Sequence, residues 1–329
     1  MPTLTDLARD ERSARMVLSI VGTPNHAPTG HLIMRVGAVD TVAFIENDHD
    51  IPGMDDVEAA VWRERARSSM SSETVARVIA DGEPYRFITP VDPEWPVQLS
   101  ELDARAPYGL WACGNLEYLT GHPQKMVTFD GARAATSYGE EVTKVFTADL
   151  AFSKYTIVSG GAFGIEGAAH RGALSGGGGT IAVLASGVNR AYPSAHAELF
   201  ERIRQNGVLV SENAPGVSPT RTRLREPARL LACATAATVI VEAGVRSGAM
   251  LTANEARDLD RLVGAVPGPV MSAASYGPNL LLQQGRAHVV TDAADIRDLT
   301  RHGQIARTSP LLSARAPEVT RESPGARTL

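Results

Sequence analysis

Two short runs, Ile181-Ala182-Val183-Leu184 and Thr238-Val239-Ile240-Val241, constrain the fold more than anything else in the chain. A strand with one wet face alternates apolar and polar residues. These runs are apolar on both faces, as strands buried between two layers of helix must be. Each leads through a turn into an amphipathic stretch of helical period. Strands connected in this way run parallel, and the crossover helices cover both sides of the sheet.

The same rhythm begins at Lys125. Strand-like Met126 to Asp130 precedes helix-like Tyr138 to Phe152, Tyr155 to Ser159 precedes Ile165 to Leu174, and Thr180 to Ala185 precedes Ala195 to Gln205. Val208 to Ser211 then precedes Leu224 to Ala234, and Ala237 to Glu242 precedes Ala249 to Leu259. Leu262 to Val266 and Ala287 to Thr291 flank a helical Asn279 to Gln284. The expected fold class is α/β, an extended Rossmann-like, doubly wound, mostly parallel sheet over residues 83–297. Before it, helical stretches at Asp6 to Ile20 and Val57 to Asp81 surround a segment holding Gly22, Pro24, Pro28, Gly30 and Gly37. That predicts a small helical domain over 1–82, SAM-like or helix-hairpin-helix-like, with a role in packing or dimerisation. Residues 298–329 turn to Arg, Ser, Pro, Thr and Gly, which bury too little to offset ordering, so a disordered tail is expected.

Composition narrows the class. Of 329 residues 43% are apolar and 5% aromatic, which suits tightly packed α/β layers. The apolar stretch Leu230 to Val245 is broken by Thr235, Thr238 and Glu242 and is too short for a membrane span, and no export leader opens the chain. Cys113 and Cys233 share no zinc or disulfide spacing, so a cytoplasmic protein is expected. A formal charge of −5 confines any polyanion contact to a local basic patch. All basic residues except Lys125, Lys144 and Lys154 are arginine, a side chain that forks onto phosphate and stacks on bases.

The strongest local signal is Ser159-Gly160-Gly161-Ala162-Phe163-Gly164, set between a strand and a helix. Glycines let the backbone approach a phosphate, and the helix behind offers unpaired N–H groups and the positive end of its dipole. Ser159 stands where the dinucleotide fingerprint needs its first glycine, and no cofactor is expected. A second loop, Gly131-Ala132-Arg133 through Tyr138, offers Arg133 to a phosphate and Tyr138 for packing or stacking. A third holds Arg246, Ser247 and Gly248, with Ser247 placed to cap the next helix. Glu242, before this loop, is read as an acceptor for neighbouring N–H groups or as a base. Glu166 and His170 share a helical face and form a candidate metal or acid–base pair without a third ligand.

The run Ser159 to Leu174, then Gly179 to Gly187 with Tyr192-Pro193, resembles the DNA-processing protein A (DprA/Smf) family in order and spacing. The likeness continues through Ser211-Glu212, Pro215-Gly216, Val241-Glu242-Ala243, Arg246-Ser247-Gly248, Val266-Pro267-Gly268 and Gly277-Pro278-Asn279. Upstream, Trp95-Pro96, Leu110-Trp111 and Gly114-Asn115 resemble the family's lead-in, and the helical N-terminus that of actinobacterial members. The resemblance implies a homodimer that binds single-stranded DNA, protects it and loads RecA recombinase in transformation or recombination, with no reaction of its own. Gly131-Ala132-Arg133 matches the family's Gly-Ser-Arg motif, Ser159 to Gly164 its glycine-rich loop, and Arg229 the last arginine of its Arg-Asn-Arg segment. Ala132, Glu166 and Pro227-Ala228 depart from the family's serine, aspartate and first two Arg-Asn-Arg positions. The winged helix that often closes such proteins has no counterpart in this sequence. Two alternatives use the same loops: a nucleotide sensor, and a nucleoside-phosphate N-glycosidase in which Glu242 would be the glutamate that, with a glycine-rich loop, cleaves the bond.

Overall fold

The structure is a computed structural model that describes residues 2–82 and 84–302. Its nine strands are β1 (Arg86–Ile88), β2 (Leu110–Gly114), β3 (Met126–Asp130), β4 (Thr156–Gly160), β5 (Thr180–Val183), β6 (Val208–Ser211), β7 (Ala237–Ile240), β8 (Leu262–Ala265) and β9 (His288–Val289). They form one sheet in the order β1-β2-β6-β5-β4-β3-β7-β8-β9. From β6 to β9 all neighbours are parallel, with Thr128 opposite Val158 and Asp130 opposite Ile240. The doubly wound expectation holds. The sequence reading missed β1 and β2, which add antiparallel to the β6 edge.

The doubly apolar strands do what their composition requires. On one face Val127, Phe129, Ile157 and Val239 meet α6 (Ser137–Phe152), α7 (Ile165–Ser175) and α12 (Ala293–His302). Beside them α8 (Ala197–Asn206) covers Ala182 and Leu209 through Leu199, Phe200 and Ile203. On the other face Met126, Val158, Ile181 and Val210 meet Leu99 and Leu102 of a 3₁₀ segment, Val97–Arg105, and Leu230 and Leu231 of α9 (Pro227–Cys233). There α10 (Gly248–Asp258) and α11 (Tyr276–Gln283) complete the layer over Ile240 and Val263. The α12 helix corrects the expected end of the ordered core at 297, because Leu299 and Thr300 are buried against it. The rest of the expected tail lies outside the described residues. Among the described residues no helix is long and apolar enough to cross a membrane.

The N-terminal region holds five helices rather than two stretches around a loop: α1 (Leu4–Leu7), α2 (Glu11–Val21), α3 (Ala27–Glu46), α4 (Asp56–Ser69) and α5 (Ser72–Asp81). Three of the residues read as breakers, Pro28, Gly30 and Gly37, are absorbed by α3, whereas Gly22 caps α2 and Pro24 lies in the turn between the two helices. Pro28 sits in the first turn, where its missing N–H costs nothing. Gly30 is buried against the Ala104 backbone, with no room for a side chain, so it forms no open phosphate-binding hairpin. Gly37 takes φ 85° and bends the helix, and Glu11 accepts the Ala38 N–H at 2.9 Å. The helices share one core with Phe87, Tyr108 and Trp111 from the sheet side.

Candidate functional site

Because β3 to β9 are parallel, the loops after them all open on one edge of the sheet, where open α/β sheets place ligands. Three of these loops interlock. The Ala132 N–H donates to the Glu242 carbonyl at 2.5 Å, and the Ile165 N–H to the Ala132 carbonyl at 3.2 Å. Gly164 has φ 71°, and a Cβ there would overlap the carbonyls of Ala132 and Arg133. Gly131 has no room for a Cβ against Ile165. Glu242 is buried, and its carboxylate accepts the Thr136 N–H at 2.8 Å and the Thr136 hydroxyl at 2.6 Å. It therefore ties the second loop down, as its reading as an acceptor expects, and both oxygens are engaged.

Beneath the loops lies a pair of carboxyl groups. Asp130, at the end of β3, accepts the Gly131 N–H and the Thr252 hydroxyl, both at 2.6 Å. Glu166 accepts the Ala162 N–H at 2.5 Å, and its carboxyl is electrostatically coupled to that of Asp130. Two buried carboxyl groups this strongly coupled resist carrying two charges at once. Burial raises the pKa of both groups above the ordinary carboxylic range, their mutual repulsion raises Glu166 further, and the charge of Arg133 opposes the shift. Glu166 is half-buried, with its carboxyl turned inward onto the Ala162 N–H.

What faces outward is basic and aromatic. Arg133, Arg190, Arg221, Arg225 and Arg246 are exposed on the loops after β3, β5, β6 and β7. Tyr138 is 46% exposed, with its hydroxyl donating to the Pro267 carbonyl at 3.1 Å, and Phe163 is 48% exposed. Gly244 and Gly248 have open space where a Cβ would stand.

Several sequence-derived candidates belong elsewhere. Arg229 is fully buried, ion-paired with Glu212 and donating to the carbonyls of Arg105 at 2.8 Å and Glu226 at 2.9 Å, so it is a structural arginine that no strand of nucleic acid can reach. The Ser159 hydroxyl turns inward to the Phe129 carbonyl at 2.6 Å. Ser247 occupies the N-cap position of α10 but makes no capping bond, and its Oγ is buried without a partner among the described residues. Glu166 and His170 are not a ligand pair. His170 bonds to Thr180 at 2.7 Å and the Gly160 carbonyl at 2.8 Å, and burial lowers its pKa to about 4. No metal-competent cluster occurs among the described residues. Gly160, Gly161, Ala162 and Gly164 do form the tight turn expected of them, but the Ala162 N–H is already spent on Glu166.

Asp130 was missed as a site residue. Its signal was an acidic side chain closing an otherwise apolar strand directly before Gly131.

A doubly wound sheet with an antiparallel extension, and interlocked carboxyl-edge loops that turn arginines outward, defines a protein of the Rossmann-like α/β class. Residues 86–301 match the model of the DNA recombination-mediator protein A family, and the chain belongs to that family. It is 48% identical over 236 residues to a DprA-type DNA processing protein of Mycobacterium tuberculosis strain H37Rv, and 36% identical over 224 residues to the protein Smf of Escherichia coli K12. These matches cover 68% and 67% of this chain but 60% and 58% of those relatives, so the chain spans less than two thirds of their length. The solved structure of DNA processing protein A from Streptococcus pneumoniae superposes with a TM-score of 0.72 at 27% identity, covering 90% of this chain and 98% of that one. The corresponding Helicobacter pylori protein superposes at 0.57 with 24% identity, over 65% of this chain and 94% of that one, a likeness of fold.

Proposed function

We propose that this protein binds single-stranded DNA along the carboxyl edge of its sheet, leaves it chemically unchanged and passes it, as a cytoplasmic homodimer, to RecA recombinase in recombination or transformation. The observation that carries the reading is the row of exposed arginines on the loops after β6, β5, β3 and β7. Strands lie about 4.8 Å apart, so the four steps from β6 to β7 spread this charge over about 19 Å, a track rather than a pocket. Such a track provides the local basic patch that a net charge of −5 requires for polyanion binding. The H. pylori relative's solved structure is described as showing a single-stranded DNA binding mode, which supports the same ligand here. The engagement of both Glu242 oxygens by Thr136 supports binding over N-glycosidic cleavage.

The test is fluorescence anisotropy of a labelled dT oligonucleotide across a salt series, with duplex as competitor. Tight, salt-sensitive, strand-selective binding that weakens in Arg133→Ala is the expected result. A folded protein that ignores the oligonucleotide at low salt overturns the reading.

A further inference from the structure

The glycine-rich loop has the backbone of an anion cradle, yet it is closed from within. The Glu166 carboxyl holds the Ala162 N–H and covers Gly160, where a Cβ would run into it. What the loop presents instead is Phe163. This ring is half exposed and held in place from behind. His196 packs on it edge to face, with centroids 4.8 Å apart, and is itself 6.0 Å from Phe200 in the same kind of contact. His196 is buried and bonded through Nδ1 to the Gly161 carbonyl at 3.0 Å, while Phe200 is buried on α8. A chain of three rings thus fixes the outermost one to the body of the protein. The loop carrying Arg133 abuts the loop carrying Phe163, since Gly164 packs on the Arg133 backbone.

We propose that Phe163 is a platform on which an unpaired nucleobase stacks, and that the glycine-rich loop is its mount rather than a phosphate cradle; this rests on the single-stranded DNA reading. A rigid exposed ring beside a cation suits a flexible chain that offers a free base face and a phosphate together. Any base has such a face, so the site discriminates unpaired from paired bases and not one base from another. In a duplex those faces are covered.

The test compares a labelled dT oligonucleotide with the same strand carrying abasic tetrahydrofuran residues, using wild type, Phe163→Ala, Phe163→Trp and Arg133→Ala, each checked for folding by thermal unfolding. Wild type binds dT more tightly than the abasic strand. In Phe163→Ala, dT affinity falls by about 5- to 150-fold, the worth of one stacked base, with the salt slope unchanged and abasic binding as in wild type. Phe163→Trp keeps the preference, and its tryptophan emission is quenched by dT. If Phe163→Ala keeps wild-type dT affinity, or loses both strands equally, stacking is overturned. Should Arg133→Ala then still weaken binding, the single-stranded DNA reading survives without it. Folded wild type that binds neither strand overturns both.

Discussion

Two buried ionic centres lie at the carboxyl ends of parallel strands, Glu212 with Arg229 after β6 and Asp130 with Glu166 at β3, and they are neutralised in opposite ways. In the first, a guanidinium meets a carboxylate, with Arg229 Nη1 2.8 Å from Glu212 Oε2, and further bonds tie α9 to the 3₁₀ segment below the sheet. In the second, two acids meet, and a proton replaces the missing cation. The first is a buried pair of opposite charges, closed in by the backbone carbonyls of Arg105 and Glu226. The second lies directly under the ligand edge, and its charge depends on pH and on Arg133 above it. Pairing by opposite charge sits where α9 is tied to the 3₁₀ segment, and pairing of like groups sits beneath the loops that turn arginine outward.

The largest effect expected from this contrast is in the first pair. Arg229→Ala leaves Glu212 buried without a counter-charge and should cost about 3–5 kcal/mol in urea unfolding, whereas replacing both partners with apolar residues should recover much of that. A loss no larger than that of an exposed arginine would break the comparison.

The acid pair should show itself in the slope of stability against pH. Its folded pKa values lie above the unfolded values of 3.8 and 4.5, so the folded state holds the extra proton. The stabilisation is complete below the unfolded values and is lost as pH rises through the raised ones, by about 1.4 kcal/mol per unit of displacement. Wild-type stability should therefore decline from mildly acid to mildly alkaline pH. Glu166→Gln, whose amide does not titrate, should flatten that decline, and a profile for this variant parallel to that of wild type would refute the pair's hold on the extra proton.

The smallest effect is that of Arg133→Ala. It should make the salt dependence of oligonucleotide binding shallower by about 0.7 in log–log slope, the share of one phosphate contact on a single strand. The same change removes the charge that opposes protonation of the pair, so its stability decline should move to higher pH.

The parallel sheet was legible because burial on both faces leaves a mark in each strand separately. Val127 and Met126 belong to different cores, and so do Ile157 and Val158. Strands β1 and β2 were not legible although they too are apolar on both faces, Ile88 and Leu110 in the sheet's core and Phe87 and Trp111 in the helical one, because they pair antiparallel and fall outside the strand–helix rhythm. The α3 helix was hidden by Pro28, Gly30 and Gly37, whose roles depend on a first turn, a crossing backbone and a bend that only the tertiary structure supplies. At the candidate site the glycines and Arg133 could be placed from sequence. That Glu166 fills the loop, that Asp130 lies under it and that Arg229 is walled in by Glu212 all depend on side chains meeting across the fold.

Trp111 donates to Ser19 Oγ at 3.1 Å, and Tyr108 to the Thr23 carbonyl at 2.8 Å, so the sheet side of the molecule plugs its largest rings into the helices before it. The stretch that defines the family begins at residue 86 and carries those plugs without their sockets. A protease cut near residue 82 should thus release two pieces that melt together rather than one that survives. By the same reasoning, a lineage could exchange its helical layer only by remaking Phe87, Tyr108 and Trp111 with it, which couples the inheritance of the two parts.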